Sequence, residues 1–284
     1  MQVIDLLQDL DHPAIFYLMR FVSLLGDDIF YVVLFPTIFW FWKRSKAVRL
    51  TVLLCTSIYI NFVLKEAFQL PRPENVGFIE ADGFSFPSGH AQHAVVLWGY
   101  LAWTVRKHFA FASFTSFFIG LSRLYLGVHW PGDVVGGWVI GATLLVLFIL
   151  LSGKIDRSRY SLSAPPVAGI LVVVTLWLGL FSSVTYSGIV MGALLGLIAG
   201  ATAANYVNIP SFSRSTIAGA MVVTIGAAGL YGIYRVVSSL RDGGEGALFT
   251  VLAVIGFWIS LGAPWLSGKV VEIIGLEVAG EETD

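Results

Sequence analysis

Three short clusters of basic, hydroxyl and imidazole residues interrupt the long apolar stretches of the chain. They are Lys65 with Arg72 and Pro73, then Pro87, Ser88, Gly89 and His90, and then Ser122, Arg123, His129 and Asp133. Arginine donates paired hydrogen bonds to phosphate, and lysine offers a compact positive charge. A serine and a glycine that open a helix add free backbone N–H groups, which favour an anion. The pattern predicts a phosphoryl pocket, with these candidate binding residues: Lys65, Arg72, Ser88, Gly89 and Arg123.

The histidines of the second and third clusters suit phosphoryl transfer. His129 and Asp133 are four positions apart, so the carboxylate can hold one ring nitrogen and leave the other free to attack. His90 can then protonate the departing oxygen. A metal site built from His90, His93, His129 and Asp133 is the weaker interpretation, because the three cations of the clusters would repel a divalent ion. We therefore expect no metal and no cofactor, and we interpret His93 as structural.

The composition indicates a lipid bilayer as the solvent for most of the chain. Of the 284 residues, 57% are hydrophobic and 12% are charged, and the mean hydropathy is +0.82, whereas about a quarter of the residues of a soluble domain are charged. The net charge of -1 provides no basic field for nucleic acid. The single cysteine, Cys55, excludes a disulfide framework. The predicted fold class is all-α, a polytopic helical bundle in the membrane.

Nine apolar stretches are long enough to cross a bilayer, which takes about 17 to 25 residues. They lie near 27–43, 49–66, 89–106, 109–126, 132–152, 165–182, 186–205, 215–239 and 247–266. Residues 2–11 predict an amphipathic interfacial helix, and residues 12–26, which carry Arg20, predict a segment that lies in the interface or dips into it. The predicted organisation is an interfacial segment 1–26, a catalytic core 27–152, a cytoplasmic linker 153–164, C-terminal membrane helices 165–266 and a polar tail 267–284.

The rear half of the chain contains few polar residues, and two of its features call for an interpretation. Glycine recurs every fourth residue on one helix face, at Gly188, Gly192, Gly196 and Gly200. This spacing predicts close helix packing, with a dimer seam or a slot for a lipid chain as alternatives. Arg235 lies inside the eighth span, so it is either a functional site or a charge that snorkels from near a helix end.

The basic residues orient the chain. Of the 17 lysines and arginines, nine lie in residues 43–49, 106–107 and 154–159, which are alternate turns between spans. Such turns are cytoplasmic. The helix from His90 to Arg106 is about 24 Å long, so the three clusters meet at the opposite level. We expect a multi-pass protein of the cell membrane with its active site on the extracytoplasmic face.

The clusters resemble the complete three-part signature of the type 2 phosphatidic acid phosphatase superfamily over roughly residues 15–150, and no motif position departs from it. The resemblance implies a metal-independent phosphatase of lipid phosphates, with a helical core shared with vanadium haloperoxidases and bacterial acid phosphatases. It also implies a phosphohistidine on His129, Asp133 as its orienting partner, and His90 as acid and later base. Residues 16–42 and the extra C-terminal spans are similar to sphingosine-1-phosphate phosphatases.

The residues leave the substrate and some alternatives open. Polyprenyl diphosphates, phosphatidic acid, phosphatidylglycerol phosphate and sphingoid phosphates share the same head-group chemistry. A lipid phosphotransferase would use the same intermediate with another acceptor. A lipid transporter would explain the many spans and Arg235 but would leave His129 and Asp133 unused, and a non-catalytic scaffold would be expected to lack motif residues. The expected partners are a lipid phosphate and membrane lipids, without nucleic acid, and a second copy of the chain is an alternative partner.

Overall fold

The computed structural model describes residues 2–10, 12–74, 77–155, 174, 187–210, 212, 215–238 and 244–275. The regular elements of this part of the chain are helices, which confirms the all-α prediction. The α-helices are α1 (Gln2–Gln8), α2 (Pro13–Leu24), α3 (Asp28–Phe41), α4 (Arg44–Phe68), α5 (Gly89–Val105), α6 (Phe109–Tyr125), α7 (Pro131–Ile155), α8 (Ser187–Ala203), α9 (Thr216–Ser238), α10 (Gly244–Phe257) and α11 (Ala263–Ile273). A 3₁₀ turn, Ala204–Tyr206, follows α8, and a π-helical turn, Trp258–Gly262, joins α10 to α11.

The helices belong to two compact units. The first unit comprises Met1–Val32 and Leu53–Lys154, and the second comprises Val33–Val52 and Ile155–Asp284. All residues of the three clusters fall in the first unit. The sequence assigned the catalytic core to residues 27–152 and the C-terminal membrane helices to residues 165–266, and this assignment stays a prediction.

Fewer of the described helices are long enough to cross a membrane than the sequence predicted. Among the described residues five helical segments are long and apolar enough, namely Arg44–Phe68, Pro131–Ser152, Gly188–Tyr206, Thr216–Val236 and Gly246–Ile273. The pair Pro13–Leu24 and Ile29–Phe41, bent by 46°, is a sixth candidate if it counts as one broken span. Eight of the nine predicted stretches coincide with helices of the described residues, and the stretch 165–182 lies outside them. The C-terminal membrane helices are therefore present, and the exact count of nine is not reproduced.

The prediction that residues 27–43 cross the membrane alone is wrong on length. Helix α3 has 14 residues, about 21 Å, which is short of a hydrocarbon layer of about 30 Å. The break lies at residues 25–27, where the backbone N–H of Gly26 bonds to Ser23 and that of Asp27 bonds to Leu24. These bonds reach back three residues rather than four, so the helix tightens and ends. The apolar stretch thus continues through a bend that its hydropathy does not reveal.

Glycines on α7 bring the start of that helix against α5. A Cβ atom on Gly137 would lie 2.6 Å from the carbonyl oxygen of Ser88, and one on Gly141 would lie 2.5 Å from that of Gln92. Both distances are shorter than any real Cβ contact, so only glycine permits this approach. The N-termini of α5 and α7, which carry the second and third clusters, consequently lie side by side.

A buried amide network connects α4 to the same region. Asn61 Nδ2 donates to Gln92 Oε1 at 2.9 Å and to the Pro87 carbonyl at 3.2 Å. Gln92 Nε2 in turn donates to the Ser57 carbonyl at 2.8 Å. Since buried amides are costly unless they are bonded, this network fixes the segment just before Ser88 against α4.

In the second unit the glycine face of α8 packs against α10. A Cβ atom on Gly192 would meet the Phe249 backbone at 2.3 Å, and one on Gly196 would meet that of Ala253 at 1.9 Å. This contact supports the packing interpretation of the glycine repeat. Arg235 is exposed near the C-terminal end of α9 and donates to the Tyr231 hydroxyl at 3.0 Å, as a snorkelling arginine would.

Candidate active site

Asp133 is positioned by the start of α7. Pro131 is the first residue of the helix, where its missing N–H has no intrahelical role and its fixed φ suits the turn. Asp133 is the third residue, and its Oδ2 accepts the backbone N–H of the N-cap residue Trp130 at 2.8 Å. This bond is the carboxylate half of a capping box. The helix terminus therefore fixes the carboxylate before any contact with His129 is considered.

His129 lies in the short connection between α6 and α7. The chain reverses immediately after Arg123, because Leu126 N bonds to Ser122 O and Val128 N bonds to Arg123 O. Gly127 has φ +72 in this reversal, a left-handed conformation that favours glycine. Arg123, at the end of one helix, and His129, just before the next, are thus held near each other by a tight backbone turn.

The two ring nitrogens of His129 have different surroundings. Nδ1 lies 3.4 Å from Asp133 Oδ2 and 3.3 Å from Ser85 Oγ. Nε2 lies 3.3 Å from Arg72 Nη1. A carboxylate beside Nδ1 favours the proton there, whereas a guanidinium donor beside Nε2 favours a lone pair. The arrangement leaves Nε2 as the ring nitrogen that carries the lone pair.

Burial keeps His129 neutral. Its side chain is 2% exposed, and this desolvation lowers the pKa of the imidazole from 6.5 to about 3, although the hydrogen bond to Asp133 acts in the opposite direction. The nearby charges of Arg72, Arg123 and Lys65 lower the pKa further. A neutral imidazole has the free lone pair that an attack on phosphorus requires.

Lys65 and Arg72 hold the loop that covers the site. Lys65 Nζ donates to the carbonyls of Phe84 and Ser85, the latter at 3.2 Å. Arg72 donates to the carbonyl oxygens of Val128 at 2.8 Å and Asp82 at 2.9 Å, and through Nε to that of Gly83 at 3.1 Å. The first cluster thereby fixes residues 82–85 and places a guanidinium edge beside the histidine.

The second cluster opens α5, as the sequence predicted. Ser88 is the N-cap residue, and its backbone N–H bonds to the Asp133 carbonyl at 3.0 Å. Gly89 follows, where a Cβ would lie 3.2 Å from Asn61 Oδ1. His90 interacts electrostatically with Arg123, His129 and Arg72. The three clusters predicted to meet at one level therefore do meet.

Three polar atoms of these clusters are buried without a hydrogen-bond partner among the described residues. They are Ser88 Oγ, His90 Nε2 and Arg123 Nε. Buried polar atoms are normally bonded, so unbonded ones in a cluster call for an explanation. One hydroxyl, one imidazole and one guanidinium group have the donors that a phosphate would need. His93 is buried beside them and its ring packs on Tyr31, in keeping with a structural residue.

Ser85 and Ser23 are site residues that the sequence did not reveal. Ser85 Oγ donates to Asp133 Oδ2 and is fully buried. Ser23 Oγ accepts from Arg123 Nη1 at 2.6 Å. Neither serine belongs to a recognisable spacing pattern. The polar residues Asn61 and Gln92 could have been noticed, because uncharged amides inside apolar spans usually have a partner in the bundle.

Comparisons with known proteins indicate the same class of phosphatase that the three clusters resembled. The sequence model of the PAP2 superfamily matches residues 46–157, and that of the PAP2 superfamily phosphatase, transmembrane extension, matches residues 184–271. Phosphatidylglycerophosphatase B of Bacillus subtilis (strain 168) is 32% identical over 142 residues, which cover 45% of this chain and 68% of that protein. Sphingosine-1-phosphate phosphatase 1 of Rattus norvegicus is 29% identical over 183 residues, 59% of this chain and 42% of that protein.

A solved structure of a PAP2 type phosphatase is also similar to this chain. The crystal structure of the first transmembrane PAP2 type phosphatidylglycerolphosphate phosphatase from Bacillus subtilis has 27% sequence identity and a TM-score of 0.49, covering 56% of this chain and 86% of that chain.

The chain belongs to the PAP2 superfamily. It is a multi-span membrane lipid phosphatase of the PAP2 type, which confirms the resemblance and the enzyme class expected from the motifs. The match with the transmembrane extension agrees with the predicted helices after the catalytic core. The match spans less than half of the rat protein's length.

Proposed function

We propose that the protein removes the phosphate or diphosphate head group of a lipid through a covalent phosphohistidine on His129, without a metal ion. The candidate substrates are polyprenyl diphosphates, phosphatidic acid, phosphatidylglycerol phosphate and sphingoid phosphates. The observation that carries the proposal is the position of the His129 ring, with Nδ1 turned to Asp133 and Nε2 turned to Arg72. A neutral imidazole nucleophile requires this polarity.

In the first step His129 Nε2 attacks phosphorus in line with the departing oxygen. A P–N bond forms while the P–O bond to the departing group breaks. His90 takes up a proton when the anionic head group binds beside it, and it gives that proton to the departing oxygen. The lipid leaves as an alcohol, or as a monophosphate if the substrate is a diphosphate. The imidazolium that carries the phosphoryl group keeps its Nδ1 proton, which Asp133 stabilises.

In the second step water attacks the phosphohistidine. His90, now neutral, accepts one proton of the water, and the P–N bond breaks to release inorganic phosphate and neutral His129. Lys65, Arg72 and Arg123 stabilise the charge on the equatorial oxygens in both transition states. The phosphate takes over the Arg72 donor that contacts Nε2, and Ser88 and Gly89 bind further oxygens at the start of α5.

We also propose the cell membrane as the location and the extracytoplasmic side as the position of the site. The basic turns at residues 43–49 and 106–107 support this orientation. The catalytic core corresponds to residues 27–152, and the C-terminal helices complete the part that lies in lipid.

A lipid phosphotransferase would share the first step and differ only in the molecule that accepts the phosphoryl group. An alcohol added to the assay distinguishes the two functions, because a transferase would form a new phosphate ester. A transporter gains no support from Arg235, since that side chain is exposed near a helix end.

The test is phosphate release from the four lipid classes by purified protein in nanodiscs. We expect release from at least one class with and without EDTA, and none from the His129→Ala variant. His108→Asn is the matched control, because His108 is exposed with φ 63, a conformation that asparagine tolerates. Enzyme quenched in alkaline detergent should carry phosphate that is stable to base and is released by acid. Full loss of activity with EDTA, or an active His129→Ala variant, would contradict the proposal.

A further inference from the structure

The turn between α2 and α3 contacts two residues of the phosphatase motifs. Ser23 Oγ accepts a hydrogen bond from Arg123 Nη1 at 2.6 Å, and the two residues are 1% and 6% exposed. Ser23 precedes the region matched by the superfamily model, which begins at residue 46. A side chain from outside that region therefore bonds to a phosphate-binding candidate.

Gly26, three residues later, lies against His90. A Cβ atom on Gly26 would be 3.1 Å from His90 Cδ2 and 3.3 Å from Ile119 Cγ2. These distances are tighter than most real contacts, so an added methyl group would press on the imidazole and require a shift of a few tenths of an ångström. Gly26 is buried, and its role here is close approach rather than an unusual backbone angle.

The turn is held by its own backbone hydrogen bonds. Leu25, Gly26 and Asp27 each donate a backbone N–H to the residue three positions earlier, at 3.2, 3.0 and 3.2 Å. Helix α2 packs against α6, whose last turn contains Arg123. Asp27 interacts electrostatically with Arg123 and has the opposite charge. The guanidinium thus meets both a hydroxyl acceptor and a negative charge on one short segment.

The hydrogen-bond donors of Arg123 face two different surroundings. Nη1 is used by Ser23, whereas Nε is buried and has no partner among the described residues. A guanidinium is planar and rigid, so a bond that fixes Nη1 also fixes the direction of Nε. The free donor can then point at a phosphate oxygen without the entropy loss of ordering a flexible side chain.

We propose that residues 23–27 are a fourth segment of the active site, in which Ser23 and Asp27 position Arg123 for the phosphate and Gly26 sets the position of His90. The inference rests on the proposed function. Ser23 and Gly26 are positioning residues, because they act through Arg123 and His90 and do not contact the substrate. Residues 12–26, which the sequence predicted to lie in the interface or dip into it, therefore also contribute to the active site.

The first experiment measures the inhibition constant of orthovanadate, an oxyanion that adopts the five-coordinate geometry of phosphoryl transfer. A Ser23→Ala variant should raise this constant about tenfold, as expected for the loss of a bond to a charged group. In an Arg123→Ala background Ser23→Ala should have no further effect. The inhibition constant is measured on active molecules only, so a smaller folded fraction does not change it.

Ser152→Ala is the matched control, because Ser152 is also buried and its hydroxyl bonds to the Ile149 carbonyl. It should leave the vanadate constant unchanged. An unchanged constant in Ser23→Ala, with wild-type protein active and inhibited by vanadate, would overturn the role of Ser23. Wild-type protein without phosphate release would instead contradict the proposed function.

The second experiment tests Gly26 by comparing two substrates whose leaving groups differ in their need for a proton. Gly26→Ala should slow hydrolysis of an alkyl phosphate lipid at least tenfold more than hydrolysis of p-nitrophenyl phosphate, because nitrophenolate departs without a proton from His90. An equal loss on both substrates would overturn the role of Gly26. The quantity compared is the ratio of the two hydrolysis rates of one variant. A smaller folded fraction lowers both rates equally, so it does not change this ratio.

Discussion

The hydroxyl of Ser85 donates a hydrogen bond to Oδ2 of Asp133. The same oxygen accepts the backbone N–H of Trp130 at 2.8 Å and faces His129 Nδ1 at 3.4 Å. Ser85 therefore helps to orient the ring of His129, the proposed nucleophile, although it lies in the loop before the second cluster. Because Ser85 Oγ is also 3.3 Å from Nδ1, its oxygen can accept a hydrogen bond from Nδ1–H while its hydroxyl donates to the carboxylate.

Replacing Ser85 with alanine should lower kcat by about ten- to a hundredfold with little change in KM. The loss follows from a carboxylate with one bond fewer and an imidazole with more freedom, each of which misaligns Nε2 in the transition state. Single-turnover formation of the phosphoenzyme measures the effect directly. Ser152→Ala again serves as the control, and phosphoenzyme formation at the wild-type rate in Ser85→Ala would contradict the prediction.

The acid limit of phosphoenzyme formation should lie far below the ordinary pKa of histidine. Protonation of Nε2 removes the attacking lone pair, so the rate falls as the pH drops through the pKa of folded His129, which is about 3 rather than 6.5. Between pH 6.5 and 4.5 the neutral fraction of His129 stays close to one. The measurement is the single-turnover rate with p-nitrophenyl phosphate, corrected for ionisation of the substrate near pH 6. A tenfold decline per pH unit that begins at 6.5 would contradict this prediction.

The helix lengths made the meeting of the three clusters predictable. The spans 89–106 and 109–126 run down and back over similar lengths, so His90 and Arg123 had to return to one level. The identity of the chemistry was predictable as well, because Lys65, Arg72, His129 and Asp133 have few other uses at such spacing. Local residue type and helical rise sufficed for both conclusions.

Other features depend on tertiary contacts and had no local signal. Ser23 and Ser85 are single serines among apolar residues, and only the packing of α2 on α6 and of the loop on α7 gives them partners. The bend at Gly26 was hidden because hydropathy averages over a window and ignores a turn of a few residues. Gly137 and Gly141 of α7 determine how closely α5 approaches, and their sequence gives no sign of this, because glycine is common in membrane helices.

Gly137→Ala should reduce activity by more than tenfold and lower the thermal unfolding temperature. Its Cβ would lie 2.6 Å from the Ser88 carbonyl and 3.2 Å from Gln92 N, both backbone atoms that cannot rotate away, so α7 has to shift from the start of α5. Gly132→Ala is a matched control on the same helix, because nothing lies within 4 Å of its added Cβ. Equal activity and stability of the two variants would show that the close approach of α5 and α7 is unnecessary.

The proposed orientation predicts opposite labelling of two introduced cysteines. Glu80 lies in the loop over the site and Lys107 lies in the turn after α5, and both side chains are exposed. In intact cells a membrane-impermeant maleimide should label Glu80→Cys and not Lys107→Cys, because basic turns stay on the cytoplasmic side. Both should react after permeabilisation, and the buried Cys55 should contribute little background. Labelling of Lys107→Cys alone in intact cells, in a variant that still releases phosphate, would place the site on the cytoplasmic face instead.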